Sequence, residues 1–222
     1  MCGRFTFIDI DEIRERFKAE PIDLKSNYNV APTQDVPVII NDGANHVSMF
    51  RWGLIPFWAK DPSIGHKMIN ARAETVDEKP SFKHSLQRKR CLVVADGFYE
   101  WKKEGPNKRP YRITLKDNGL FGFAGLWDTW KSLIGDIVNS CSIITTTPNE
   151  LMSSIHDRMP VILTRDSERV WLDQSIVDSH LLKSLLVPCP ADLMIAYEVS
   201  TLVNSPRNNG SECLVPVQPK LF

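Results

Sequence analysis

The sequence contains no apolar run that approaches the roughly 18–20 residues of a membrane span. Its N-terminal segment, MCGRFTFIDIDE, has no hydrophobic stretch of the kind found in signal peptides. It also has no repeat, no low-complexity tract and no linker rich in proline, glycine or serine. We therefore expect a cytoplasmic protein, without membrane contact, whose 222 residues form one domain over residues 1–222.

The sequence also has a formal net charge of zero, because 27 Lys and Arg balance 27 Asp and Glu. This balance argues against a protein that binds nucleic acid through its bulk charge. The charges are nevertheless unevenly distributed: residues 67–112 contain 12 basic and 6 acidic side chains, whereas residues 113–222 contain 8 and 12. A local basic surface remains compatible with a neutral chain.

The cysteines and histidines lack the spacing of metal sites. The five cysteines are odd in number and far apart, no C-x2-C pair occurs, and the five histidines do not cluster. These absences argue against a disulfide framework and a structural zinc site. Cys91, Cys141 and Cys213 stand in apolar runs, which favours buried positions.

Short strands joined by turns, with irregularly interspersed helices, favour an α+β fold with mainly antiparallel pairing. Helices are predicted over 9–19, from Pro80 through SFKHSLQRK, over 166–173 and over 178–187. One hairpin is predicted around Asp42-Gly43, and another joins PYRITL to LFGFAGLW through Asp117-Asn118-Gly119. CLVVADGFYEWKK is predicted as one strand with a kink at Gly97, and VNSCSIITTT and LMIAYEVS as two more strands.

Cys2 stands out because it follows the initiator methionine. Removal of Met1 would leave an amine and a thiol on adjacent carbons of Cys2. The amine, with an ordinary pKa of ~7.7–8.0, is partly neutral at cellular pH, and a nearby cation would favour the thiolate. Such a pair can trap an aldehyde as a thiazolidine or serve in acyl transfer. An incidental cysteine at a frayed terminus is the alternative.

Three further segments contain polar residues suited to chemistry. If INARAE is extended, Asn70, Arg72 and Glu74 share one face, either as a site or as an ordinary polar strand face. Glu100 lies between two aromatic residues after an apolar strand, where desolvation would make it a general acid unless it pairs with a lysine such as Lys102. His156 could shuttle a proton or be structural.

The segment RWGLIPFW crowds aromatic residues around glycine and proline. Its tryptophans, Trp52 and Trp58, could stack on bases or wedge a nucleic-acid strand. Packing as a lid on the core explains the segment equally well.

Six motifs occur in order along nearly the whole chain: MCGRF (1–5), YNVAP (28–32), RWGLIP (51–56), INARAE (69–74), DGFYEW (96–101) and IHDRMP (155–160). Val203-Asn204 and the run RNNG (207–210) follow near the C-terminus. Together these segments resemble the motifs of the SOS response-associated peptidase (SRAP) family. The resemblance implies a mainly antiparallel, barrel-like β core flanked by short helices.

The resemblance also implies a function in DNA damage, because members of this family recognise abasic sites in single-stranded DNA and attach to them covalently. Cys2 would form the thiazolidine with the ring-opened deoxyribose, and Asn70 would position the amine and sugar. Glu100 would act as acid and base, and His156 would assist proton transfer. Arg4 and Arg72 would bind the flanking phosphates, while Trp52 and its loop would block a continuing duplex strand. These roles require no cofactor and no metal. We expect a monomer.

Three alternatives stay open. Met-Cys-Gly also begins N-terminal-nucleophile amidohydrolases, although Arg4-Phe5-Thr6 departs from their usual continuation. A cysteine peptidase whose action extends beyond removal of Met1 is the second. The third is a binding module for single-stranded DNA without chemistry, for which Cys2→Ala would leave function intact.

Overall fold

The computed structural model describes residues 2–8, 10–20 and 22–217. Its central feature is a closed barrel of five strands: β3 (Asp35–Asn41), β4 (Asn45–Trp52), β6 (Arg90–Ala95), β9 (Phe121–Lys131) and β10 (Ile137–Thr146). β10 pairs with both β4 and β9, so that the order β10-β4-β3-β6-β9 returns to β10. Closure leaves these five strands without a free edge around the core. The predicted barrel-like α+β fold is confirmed.

Two short strands extend the barrel at β10. β5 (Asn70–Arg72) pairs with it in parallel and β11 (Met159–Pro160) pairs with it antiparallel. All other ladders of the barrel are antiparallel except that between β10 and β4. Because β5 and β11 border the motifs around Asn70 and His156, β10 brings these two segments towards one end of the barrel.

A second sheet has the order β12-β8-β7-β1-β2, and all its ladders are antiparallel. Its strands are β1 (Phe5–Phe7), β2 (Asn27–Val30), β7 (Gly97–Glu104), β8 (Asn107–Leu115) and β12 (Met194–Glu198). This sheet positions the N-terminal motif, which leads into β1, beside Glu100 on β7. Phe5 lies opposite Phe98 in the ladder between them.

CLVVADGFYEWKK is not one strand, which corrects the prediction. Arg90–Ala95 belongs to the barrel and Gly97–Glu104 to the second sheet, with the chain crossing at Asp96. The buried Asp96 carboxylate accepts hydrogen bonds from Thr6 Oγ1 and from Arg112 Nη2, the latter at 2.8 Å. Gly97 is needed because a Cβ there would lie 2.9 Å from the Arg112 guanidinium carbon. The predicted kink is therefore a change of sheet.

The predicted hairpin of PYRITL and LFGFAGLW is wrong. β8 pairs with β7 and β12, and β9 pairs with β6 and β10, so both edges of each strand are occupied by other partners. The turn at 117–119 instead connects the second sheet to the barrel. The hairpin that does form joins β7 to β8 through Gly105, whose φ is +58°.

The other local predictions are confirmed. β3 and β4 form the hairpin around Asp42-Gly43, and Gly43 has the positive φ of +122° that its turn requires. The α-helices are α1 (Ile13–Phe17), α2 (Pro80–Arg88), α3 (Glu150–Ser153), α4 (Arg165–Leu172) and α5 (Ser179–Ser184). A 3₁₀ helix, Ile10–Glu12, precedes α1, and Asp9 at the predicted start lies outside the described residues.

The cysteines are buried and free, as their apolar context predicts for Cys91, Cys141 and Cys213. Two large core clusters fill the interior, one around the barrel and second sheet and the other beneath the helices. A small third cluster contains Tyr99, Val199 and Val203. None of the helices in the described part of the chain has the length and apolar character of a transmembrane helix.

Candidate active site

Cys2 is fully buried directly before β1, and its thiol donates to the carbonyl of Arg4 over 3.9 Å. Burial raises the pKa of this thiol, and the nearby Glu100 carboxylate raises it further. Both effects disfavour the thiolate. Burial thus outweighs the effect of a nearby cation, and the environment of Cys2 favours the neutral thiol.

Asn70, the first residue of β5, reaches Cys2 directly. Its Nδ2 donates to the Cys2 carbonyl over 2.7 Å. Its Oδ1 is buried, and no described residue donates a hydrogen bond to it. A buried acceptor without a donor is unfavourable by about 1–3 kcal/mol, so this oxygen favours a donor brought by a ligand or by a free amine. The structure thus joins two predicted site residues that are 68 positions apart.

Glu100 and His156 are the second pair that the structure brings together. Glu100 is 3% exposed, and desolvation by burial raises the pKa of its carboxyl against a lowering effect of His156. Oε2 of Glu100 lies 3.9 Å from Nε2 of the imidazole. Lys102 ion-pairs with Glu104 at 3.9 Å, so the alternative of a Glu100–Lys102 pair on an edge strand does not hold. The environment suits a carboxylic acid that donates and recovers a proton.

The His156 ring connects Glu100 to the surface. Its Nδ1 accepts a hydrogen bond of 3.1 Å from the backbone N–H of Arg158 and lies 2.9 Å from the exposed Asp157 carboxylate. The ring is about a quarter exposed. Because the ring lies near the buried acid and also reaches solvent, His156 can carry protons between them.

A shallow cleft of about 450 Å³ opens over these groups, lined by Glu100, Trp101, Lys103, Lys108, His156 and Asn204. A larger cleft of about 550 Å³ lies between α1, β9 and α4 and is lined by none of the predicted site residues. The smaller cleft is the candidate site because it contains the acid and its proton relay.

Arg4 is half-buried, and its guanidinium already donates hydrogen bonds within the protein. Its Nη1 donates to Asn29 Oδ1 over 2.8 Å and to the Val203 carbonyl over 2.7 Å, and the guanidinium carbon lies 5.9 Å from the Trp101 ring centroid. Burial lowers the pKa of this guanidinium. Arg4 therefore links the N-terminal motif to the C-terminal segment, and its contact with phosphate stays a prediction.

Arg72 and Glu74 are exposed, and the intervening Ala73 is buried, as the predicted alternation requires. Glu74 accepts hydrogen bonds from both terminal nitrogens of Arg158, at 2.6 and 3.0 Å, which lowers the pKa of its carboxyl. Arg158 also donates to the Thr145 carbonyl over 2.6 Å. Sequence analysis assigned no role to Arg158, because the two residues of this pair are 84 positions apart.

Trp52 lies in the core, which leaves no exposed indole for the predicted contact with DNA. Its side chain is fully buried, its Nε1 donates to the Ile69 carbonyl over 2.9 Å, and its ring centroid lies 5.0 Å from that of Phe5. A buried indole has no face left for a base. The competing interpretation, packing against the core, is confirmed for Trp52, while Phe57 and Trp58 of the same loop are 56% and 47% exposed.

Asn29 is a buried residue of the site region for which the sequence offered no role. Its Nδ2 donates to the carbonyls of Val203, Ser205 and Asn208 at 3.2, 3.0 and 2.7 Å. These bonds fasten the 3₁₀ helix Thr201–Asn204 and the asparagine-rich turn behind it. The only signal in the sequence was the position of Asn29 within the YNVAP motif.

Comparison with known proteins agrees with these motifs. Residues 1–206 match the family described as SOS response associated peptidase (SRAP). The chain belongs to this family. It is 54% identical over 221 residues to the abasic site processing protein YoqW of Bacillus subtilis, an alignment that covers 96% of this chain and 99% of the relative.

The chain is also similar to more distant proteins, in sequence to one and in fold to another. The abasic site processing protein HMCES of Xenopus tropicalis is 35% identical, and the alignment covers 86% of this chain and 66% of the relative. A crystal structure of a protein from Bacteroides thetaiotaomicron superposes with a TM-score of 0.88 at 33% identity, covering 97% of this chain and all of that one. Within the described part of this SRAP chain, no group of three or more His, Cys, Asp or Glu side chains is arranged to hold a metal ion.

Proposed function

We propose that this SRAP chain processes abasic sites in single-stranded DNA by forming a covalent link through Cys2. The relatives named abasic site processing proteins support the substrate. The observation that carries the proposal is the 2.7 Å contact of Asn70 with Cys2, in a site where Glu100 is close enough to perturb the Cys2 thiol. Under this proposal an amide, a carboxylic acid and an aminothiol surround one reacting carbon.

The chemistry begins once Met1 is removed and the Cys2 amine is free. The nitrogen lone pair of this amine attacks the aldehyde carbon of the ring-opened deoxyribose, and His156 helps move a proton from nitrogen to oxygen. Asn70 Oδ1 is the acceptor that holds the amine in position. Glu100 then protonates the departing hydroxyl, which leaves as water and gives an iminium ion.

Ring closure uses the second nucleophile. The Cys2 sulfur bonds to the iminium carbon, the electron pair of the C=N bond returns to nitrogen, and the thiol proton passes to the Glu100 carboxylate. The product is a thiazolidine, and Glu100 regains the proton it donated. A neutral thiol suits this order of events, because sulfur reacts last and with a strong electrophile.

A cysteine peptidase or amidohydrolase is the runner-up. Such enzymes attack a poorly electrophilic amide with a thiolate. Burial and Glu100 both act against a thiolate at Cys2. The site therefore favours aldehyde capture over amide hydrolysis.

The exposure of nearby side chains indicates which of them contact DNA away from the reacting carbon. Arg72 presents an exposed guanidinium beside Asn70, and we propose that it binds a flanking phosphate together with Arg4. The buried Trp52 anchors the loop that leads into β5. We propose that the exposed aromatic rings of Phe57 and Trp58, on the same loop, block a continuing duplex strand in place of Trp52.

The test is incubation of the chain, with loss of Met1 verified by mass, with single-stranded DNA that contains one abasic site. We expect an adduct on a denaturing gel whose intact mass is that of chain plus DNA less one water. Cys2→Ala should give no stable adduct but should yield a product when borohydride reduces the imine. A chain that keeps Met1 has the Cys2 nitrogen in an amide bond; it is the matched control for the aminothiol and should give no thiazolidine.

Two results would overturn the proposal. One is the absence of any adduct from the processed wild-type chain. The other is release of ammonia from glutamine, or cleavage of a peptide, by a chain that ignores the abasic DNA.

A further inference from the structure

The β7–β8 hairpin supplies four of the six residues that line the candidate cleft: Glu100, Trp101, Lys103 and Lys108. Lys103 and Lys108 are direct partners in the ladder, and both are exposed. Directly opposite residues of an antiparallel pair have Cβ atoms about 4.5–5.5 Å apart and project to the same face. Two like charges at such a position destabilise a hairpin unless an anion lies between them.

The other cations of this hairpin have acidic partners. Arg109 pairs with Glu104 at 2.9 Å and with Glu198 at 3.4 Å, and Lys102 lies 3.9 Å from Glu104. Among the described residues, no carboxylate comes within ion-pair distance of Lys103 or Lys108. Two uncompensated ammonium groups therefore border the cleft that contains Glu100 and His156.

The residues that line the cleft include only one carboxylate that could repel an anion bound to these lysines. This acid, Glu100, is buried beneath the cleft, and the half-buried Trp101 contributes an aromatic ring whose Nε1 is engaged with Asn204 Oδ1 at 2.7 Å. A phosphodiester is the anion that a DNA strand would bring to this position, and a lysine pair neutralises it as two point charges.

We propose that Lys103 and Lys108 hold the phosphodiester next to the abasic sugar, so that the DNA strand leaves the site along the β7–β8 hairpin. This inference rests on the proposed function and deepens it by giving the path of the strand on one side of the lesion.

The first experiment measures equilibrium binding of single-stranded DNA with a tetrahydrofuran residue, which has no aldehyde and cannot crosslink. Lys103→Ala/Lys108→Ala should weaken binding about fivefold at low salt. It should also reduce the slope of log K against log salt by about 0.7, the value for one phosphate contact on a single strand. Lys25→Ala/Lys131→Ala removes two exposed lysines elsewhere and is the control matched in charge. Lys103→Arg/Lys108→Arg should restore binding.

The second experiment locates the contact. A neutral methylphosphonate replaces, in separate probes, the phosphodiester on either side of the tetrahydrofuran. One of the two probes should bind the wild type about fivefold more weakly while binding Lys103→Ala/Lys108→Ala no worse than unmodified DNA. The unfolding midpoint of the variant should match or exceed that of the wild type, because the change removes a like-charge pair.

The outcomes separate this inference from the proposed function. If the lysine variant binds like the Lys25/Lys131 control, or if each methylphosphonate weakens it as much as the wild type, the phosphate contact is refuted even though the wild type crosslinks abasic DNA. Failure of the wild type to crosslink instead refutes the proposed function. Binding of the tetrahydrofuran probes can still be measured in that case, because it does not depend on crosslinking.

Discussion

Glu100 obtains its chemistry from burial. The side chain is almost completely excluded from water, and the resulting desolvation raises the pKa of the carboxyl above its ordinary value. A group in this condition is neutral for a larger part of the physiological range and can act as an acid. His156 lies 3.9 Å away and is partly exposed, and in the proposed function it would replace that proton.

Replacing the carboxyl tests this role through both stability and rate. Below the unfolded-state pKa of about 4.3 the carboxyl is neutral in both states, so burial of Glu100 is then without penalty. As pH rises through the interval up to the raised folded-state pKa, the unfolded state loses its proton first and the free energy of unfolding falls. We expect Glu100→Gln to remove this fall and to slow crosslinking by about 100-fold or more.

Urea unfolding at a series of pH values, with crosslinking rates at saturating DNA, measures both effects. Glu78→Gln, which changes an exposed carboxyl, is the control and should leave the crosslinking rate unchanged. A Glu100→Gln chain whose unfolding free energy follows the same pH dependence as the wild type would contradict the account of a buried, raised-pKa acid.

Among the elements, the crossing between β6 and β7 does most to position the site. Asp96 ties the crossing to β1 through Thr6 and the backbone N–H of Ile8, and to β8 through Arg112. Asp96 and Arg112 are both buried. Since Glu100 follows four residues later and Cys2 precedes β1, this ion pair helps to position the proposed acid and the proposed nucleophile.

Loss of the Asp96 carboxylate should therefore be severe. We expect Asp96→Ala to lower the free energy of unfolding by about 3–5 kcal/mol, because it leaves the Arg112 charge buried without its partner. Thermal or urea denaturation measures the change, and Asp23→Ala, at an exposed carboxylate, is the control. Asp96→Ala/Arg112→Leu should recover part of the loss. A change below 1 kcal/mol for the single variant would show that the pair does not secure the crossing.

At the scale of the whole molecule, neutrality does not conflict with a DNA substrate. The 27 positive and 27 negative side chains cancel in number, but the basic excess falls in residues 67–112, which include Asn70, Glu100 and the lysines of the hairpin. A few local charges are enough to guide a strand when a covalent bond then retains it.

Salt should thus affect the rate at which the protein binds DNA, and not the persistence of the covalent adduct. We expect the initial crosslinking rate at low DNA concentration to fall by an order of magnitude or more between about 50 and 200 mM salt, if three or more phosphates are contacted. The final yield and the persistence of the adduct in high salt should not change. Time courses read on denaturing gels give both quantities, with DNA that lacks the abasic site as the control. An adduct that dissociates as salt is raised would argue against covalent retention.

Local patterns predicted much of this molecule. The hairpin around Asp42-Gly43, the helix at Pro80 and the alternation through Asn70 and Arg72 depend on residues a few positions apart, and all three are present. The hairpin predicted around Asn118 failed although its turn chemistry was suitable. Strand pairing depends on which edges are free, and β8 and β9 find their partners in different sheets.

The sequence by itself determined which chemical groups this protein has and in what order: an aminothiol precursor at Cys2, an amide at Asn70, an acid at Glu100 and an imidazole at His156. Only the tertiary structure decided that Asn70 meets Cys2, that Glu100 is a buried acid beside His156, and that Trp52 lies in the core. The physical reason is that residue type and turn geometry are local properties. Burial, desolvation and the choice of partner arise from contacts between distant segments, which exist only after the barrel has closed and the second sheet has paired with the N-terminal strand.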